Sequence, residues 1–148
     1  MIKIRPARRS ELHAVTRLWM ESWDSTGLPG GTGYRVDLLR ERLDRDLAAG
    51  LQLFVATLAG RIVGMLAIRP KDRHLDQLFV APSFQRRGIG KALLAFARTQ
   101  MPAEIWLRTA VDNVRAVRWY EREGFRKERE ELRPDHPWKR GYYRWRRT

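Results

Sequence analysis

Leu75-Asp76-Gln77-Leu78-Phe79-Val80-Ala81-Pro82-Ser83-Phe84-Gln85-Arg86-Arg87-Gly88-Ile89-Gly90-Lys91 carries a strand, a turn and the start of a helix in one unbroken run. Leu75–Val80 is short and mainly apolar, as a buried strand is, and Ala81-Pro82 ends it. Lys91 to about Gln100 suits a helix. Between them stands the basic glycine turn Gln85-Arg86-Arg87-Gly88-Ile89-Gly90. Free N–H groups of a first helical turn, the positive end of the helix dipole and two arginines would converge there on one anion, as in a pyrophosphate cradle. Spacing excludes two well-known nucleotide loops. A Walker A loop requires Gly where Gln85 stands and Ser or Thr where Ala92 stands. A dinucleotide fingerprint requires a third glycine at the place of Leu93.

What remains is Gln-x-x-Gly-x-Gly over Gln85–Gly90. Further along, after a strand over Glu104–Ala110, comes Asn113-Val114-Arg115-Ala116-Val117-Arg118-Trp119-Tyr120-Glu121-Arg122-Glu123-Gly124-Phe125. The first motif resembles the acetyl-CoA signature of the GNAT N-acetyltransferase superfamily. The second resembles that family's later motif, Asn-x-x-Ala-x-x-x-Tyr-Glu-x-x-Gly-Phe. The resemblance is close from about Leu51 to Arg126 and holds in outline on the flanks.

Composition bounds the remaining choices. The 148 residues suit one domain, spanning 1–148, that buries about two-thirds of its unfolded surface. There is no cysteine, and His13, His74 and His136 have no metal-ligand spacing, so no metal is expected. No apolar run has membrane-spanning length and the N-terminus lacks a signal core, which points to a soluble cytoplasmic protein without a membrane partner. The net charge of +13 favours anionic partners and disfavours polycationic substrates.

The remaining elements follow from periodicity. Ile2–Arg5 reads as a strand, and Ser10 as the cap of a helix with its apolar face on Leu12, Val15, Leu18, Trp19 and Trp23. Asp24–Tyr34 reads as a mobile loop, and Val36, Leu39, Leu43 and Leu47 mark a second helix stopped by Gly50. Leu51–Leu58 and Arg61–Ile68 are strands joined at Ala59-Gly60, and His74–Val80 is the third of this meander. A helix over Val114–Glu123 and strands over Phe125–Leu132 and Gly141–Arg146 complete the chain. The order predicts an α/β (α+β) fold with helices on both faces of a mixed sheet. The resemblance implies that this sheet is mostly antiparallel and splayed after its fourth strand, His74–Val80.

The resemblance also implies the chemistry: acetyl transfer from acetyl-CoA, a co-substrate, to a primary amine by direct attack through a tetrahedral intermediate. Gln85, Arg86, Arg87, Gly88, Ile89, Gly90 and Lys91 would anchor the coenzyme. Backbone groups of Leu78, Phe79 and Val80 would pair with its pantetheine arm, and an N–H near Val80 would polarise the thioester carbonyl. Tyr120 would donate a proton to the departing sulfur. Asn113 would hold the pantetheine arm and a water, or cap the helix that follows it. Gly124 reads as a left-handed helix stop and Phe125 as core. The base is harder to assign. Some protein-acetylating members carry a Glu five residues before the motif Asn, where this chain has Arg108. His74 and Asp76 are the candidates on the strand leading to the cradle, placed by period-2 alternation on the face of Leu78 and Val80. His74 would titrate in the useful range.

Trp19, Trp23, Asp24, Tyr34 and Pro134–Trp138 are candidate lining residues for a small amine or a peptide N-terminus, although Trp19 and Trp23 also fit the apolar face of their helix. Two other readings stand beside acetyl transfer. A basic nucleic-acid-binding module would use the interleaved aromatic and basic residues of Trp138–Arg147, which a half-buried edge strand explains equally well. A GNAT domain that binds acetyl-CoA without transfer is the other, and Tyr120 argues against it. Nucleic acid is therefore not the expected partner, and monomer and homodimer both remain open.

Overall fold

In the computed structural model, residues 1–28, 36–132, 134–135 and 137–148 are described. They form strands β1 (Ile2–Pro6), β2 (Gln52–Leu58), β3 (Arg61–Arg69), β4 (His74–Val80), β5 (Glu104–Ala110), β6 (Arg126–Glu131) and β7 (Arg140–Arg146). The helices are α1 (Leu12–Asp24), α2 (Val36–Ala48), α3 (Ile89–Gln100) and α4 (Val114–Arg122). The strands make one sheet in the order β1-β2-β3-β4-β5-β7-β6, antiparallel except between β4 and β5. This is the mixed, mostly antiparallel sheet anticipated, with helices on both faces.

Each face has its own core. Leu12, Val15, Leu18 and Trp19 of α1 and Leu39 and Leu43 of α2 pack on Leu53, Val55, Met65 and Ala67. Their i, i+3, i+4 spacing is what lets these helices bury one stripe. On the other face Ile89, Leu93, Leu94 and Ala97 of α3 and Tyr120 of α4 pack with Leu66, Ile68, Ile105, Leu107 and Phe125. Gly64 allows α3 to approach: a Cβ there would lie 3.1 Å from Leu93 Cδ1 and from the Phe79 carbonyl oxygen, and 3.2 Å from Ile89 Cγ2. Gly124 ends the α4 segment at φ +96° and Phe125 is fully buried, as expected.

Two expectations about the ends of the chain are corrected. Ser10 does not cap α1. It lies in a short 3₁₀ turn, Arg9–Glu11, and Glu11 takes the cap position. Arg5 grips the Glu11 carboxylate at 2.7 and 2.8 Å, and the same carboxylate accepts the Arg8 N–H at 2.8 Å. A bidentate guanidinium pair is stronger than a hydroxyl cap. It holds the Glu11 carboxyl down to about 2. The last strand, β7, is not an edge strand, because it lies between β5 and β6. Tyr143 and Trp145 face the α3–α4 core, while Arg144 pairs with Glu104 and Glu128 on the opposite face.

The sheet parts where the site is expected. β4 and β5 pair only at His74↔Trp106, and from Leu75 to Val80 no β5 residue is opposite β4. That edge of β4 offers unpaired backbone groups, which elsewhere would invite another strand.

Candidate functional site

A bulge in β4 sets the site. The register with β3 passes from Ala67↔Gln77 to Ile68↔Leu75, so Asp76 has no partner. An extra residue reverses the alternation beyond it. Leu75 consequently joins Leu78 and Val80 in the α3–α4 core, and Phe79 packs against α1. Asp76 turns to the α1–α2 face, where Arg69 and, on α2, Arg42 and Asp46 act on it. His74 lies on that face too, stacked on Trp106 with ring centroids 3.8 Å apart and 7° between planes. The expectation that His74 and Asp76 share the face of Leu78 and Val80 is thus overturned, because strict alternation cannot register an inserted residue.

The parted strands open a cavity of about 640 Å³. On one side stand Leu78, Asn113, Ala116 and Tyr120, and on the other Trp19, Trp23, Asp76, Arg108, Asp135 and Trp138. Tyr120 is buried, and desolvation pushes its hydroxyl pKa up, so it stays protonated at neutral pH. Among the described residues no hydrogen bond takes up that hydroxyl. Asn113 holds the first position before α4, yet its side chain makes no cap bond. Its amide is left to the cavity.

The two base candidates differ. Burial raises the Asp76 pKa, with Arg69 and Arg42 opposing. Its side chain is 10% exposed and lines the cavity. His74 is buried and does not line it. Desolvation, with Arg108 and Arg69 nearby, lowers its pKa to about 4, below the range anticipated for it. The two side chains do not hydrogen-bond: His74 Nδ1 is 3.8 Å from Asp76 Oδ1, beyond hydrogen-bond reach.

The cradle lies at the surface beside this cavity. Arg86 (φ +66°) and Gly88 (φ +80°) turn the chain into α3, and the first helical bond runs from the Ala92 N–H to the Gly88 carbonyl at 3.0 Å. The N–H groups of Ile89, Gly90 and Lys91 precede it and point out of the helix end. Arg87 lies over the Phe84 ring at 5.1 Å. Lys91 is drawn toward Glu123 at 3.9 Å. The Gln85 amide donates to the Val80 carbonyl at 3.4 Å, tying the cradle to the end of β4. These features fit a coenzyme whose diphosphate sits on α3 and whose arm runs along the open edge of β4.

Several lining residues escaped the sequence reading. Arg42 and Leu39 of α2 line the cavity, and the period of α2 marked only its apolar positions. Outside the lining, the Ser22 hydroxyl donates to the Val80 carbonyl at 3.3 Å, a contact with no sequence signal. Trp19 is both core and lining, whereas Trp23 is half-buried, stands outside both cores and lines the cavity beside Trp138; Asp24 is exposed and outside the lining. Tyr34, His136 and most of the Asp24–Tyr34 loop lie outside the described residues.

Comparison with known proteins accords with this arrangement. The profile of the Acetyltransferase (GNAT) family matches residues 12–125. The peptidyl-lysine N-acetyltransferase YiaC of Escherichia coli is 36% identical over 124 residues, 82% of each chain. The peptidyl-lysine N-acetyltransferase YjaB of Salmonella typhimurium is 34% identical over 129 residues, 85% of this chain and 84% of that one. The crystal structure of the PaiA N-acetyltransferase of Thermoplasma acidophilum in complex with coenzyme A superposes with a TM-score of 0.76 at 18% identity, covering 99% of both chains, and shares the fold. On its sequence profile and these relatives, the chain belongs to the GNAT acetyltransferase family and is an acetyl-CoA-dependent N-acetyltransferase.

Proposed function

We propose that the enzyme acetylates the ε-amine of lysine side chains in polypeptides, with Asp76 as the base and Tyr120 as the acid. One observation carries this: Asp76 and Tyr120 line one cavity from opposite faces of the parted strands β4 and β5. The peptidyl-lysine activity of the two relatives supports the choice of acceptor. Acetyl-CoA supplies the acetyl thioester. Gly88 to Lys91 would hold its diphosphate by backbone N–H groups, with Arg86 and Arg87 adding charge and Gln85 bracing the turn. Leu78, Phe79 and Val80 would lend their open edge to its arm, and Asn113 a side-chain amide.

Asp76 takes the amine proton directly or through a water, freeing the nitrogen lone pair to attack the acetyl carbon. As the C–N bond forms and the C–S bond breaks, the Tyr120 O–H donates to the departing sulfur. A buried phenol keeps its proton for that moment, and a buried carboxylate with a raised pKa is a better base than an exposed one. The whole chain would serve as one catalytic domain, cytoplasmic, as monomer or homodimer.

Thiol release from acetyl-CoA, followed with lysine-containing peptides and confirmed by the mass of the product, tests the acceptor. Turnover with peptides that is lost on changing their lysine to arginine is the expected result. Turnover confined to small free amines would overturn the lysine reading. For the base, Asp76→Asn should lower kcat by about 10²-fold, in line with general-base contributions.

A further inference from the structure

The acceptor side of the cavity carries a cation that the proposed chemistry does not use. Arg108 lines the cavity and is exposed, and among the described residues no carboxylate pairs with it. Arg42 and Arg140 line the same cavity, but each is near a carboxylate of its own, Asp46 at 3.7 Å and Glu131 at 3.6 Å. The Arg108 charge acts on Asp76, the proposed base, and on His74, which lies outside the lining. Trp23, also in the lining, keeps its indole N–H buried without an acceptor among the described residues. A lysine reaches the site as an ammonium ion that the Asp76 and Asp135 carboxylates of the lining attract and the Arg108 guanidinium beside them repels. Arg108, in no ion pair among the described residues, is left open to a negative charge that the acceptor brings.

We propose that Arg108 binds a carboxylate carried by the acceptor, so that the site selects an amine standing next to a carboxylate. In a polypeptide this is a lysine with an aspartate or glutamate neighbour. The inference rests on the lysine reading above. A guanidinium meets a carboxylate with two parallel hydrogen bonds, so the contact fixes orientation as well as affinity. The net charge of +13 acts in the same sense at longer range, drawing acidic rather than basic segments to the surface.

The experiment compares two series by thiol release at physiological salt. One is a lysine peptide flanked by Glu, by Gln or by Arg. The other is Nα-acetyl-lysine against its carboxamide, where the carboxylate is the amino acid's own. The wild type is expected to show kcat/KM at least tenfold higher for the Glu-flanked peptide than for the Gln-flanked one. In Arg108→Gln that ratio should fall toward one, and in Arg108→Glu the Arg-flanked peptide should become the preferred substrate. A ratio near one in the wild type overturns the proposal, and so does a preference that survives Arg108→Gln, because it would belong to the general surface charge. If no peptide is acetylated but Nα-acetyl-lysine outpaces its carboxamide through Arg108, the lysine-peptide reading fails and carboxylate recognition stands. No acetylation in either series overturns both.

Discussion

Asp76, His74 and Tyr120 show how burial and position separate residues that are all able to exchange a proton. All three are titratable and near the parted strands, yet only Asp76 and Tyr120 reach the cavity. Tyr120→Phe removes one hydroxyl from a packed ring that also contacts Phe125 at a centroid distance of 5.4 Å. We expect turnover to fall at least tenfold with acetyl-CoA affinity unchanged. Steady-state kinetics with calorimetric titration checks it, and equal turnover would remove Tyr120 as the acid. His74 makes a different prediction. Its pKa is 6.5 in the reference state and about 4 in the folded protein, so between these values the unfolded chain binds more protons. Its contribution to stability is therefore complete above pH 6.5 and is lost as pH falls toward 4, by at most about 3 kcal/mol. Asp76, with its raised pKa, works in the opposite sense over part of this range. His74→Phe, which can keep the stack on Trp106, isolates the histidine term. Its unfolding free energy should decline less between pH 7 and 4 than that of the wild type, and parallel curves would refute the assignment. Tyr120 was legible because its neighbours Glu121, Gly124 and Phe125 form a motif. The Asp76–His74 distinction was not, since nothing local tells a buried stack from a catalytic pair.

The elements carried more of their structure in sequence than their joints did. Leu12, Val15, Leu18 and Trp19, or Leu39 and Leu43, announce helices by period, and Ala59-Gly60 announces a hairpin. The bulge at Asp76 has no such mark, because it arises from how β3 and β4 pair rather than from either strand alone. Arg42 was missed for a related reason: a charged position on α2 shows no preference for a cavity until the opposite sheet face is known. Gly64 is similar, since its meaning lies in the three neighbours a Cβ would meet. Gly64→Val should push α3 off β3 and β4 and destabilise the protein by about 1–3 kcal/mol, the usual range for overpacking. Because the cradle is the N-terminus of the same helix, the KM for acetyl-CoA should rise as well. Denaturant unfolding and kinetics on the same sample test the link. A variant that loses stability without change in KM would show that the cradle is held by the Gln85–Val80 contact instead.

For the molecule as a whole, local and long-range charge must be separated. Thirty Lys and Arg residues against seventeen Asp and Glu give a field that attracts any polyanion, acetyl-CoA included. Between exposed charges that field is screened within about 8–10 Å at physiological salt, so it changes encounter more than the final complex. Arg86 and Arg87 differ from the other cations in flanking a turn whose N–H groups already point outward. Arg86→Ala with Arg87→Ala should therefore weaken acetyl-CoA binding by more than about 1 kcal/mol, the scale of charge-assisted contacts. Arg8→Gln with Arg9→Gln removes the same net charge next to α1, away from the cradle, and is expected to leave affinity nearly unchanged. Calorimetric titration of the two double variants from low to high salt distinguishes the terms. If the field governs, both lose affinity alike and salt erases the difference from wild type. If the cradle governs, only the Arg86–Arg87 variant weakens, and a deficit remains at high salt where the field is gone.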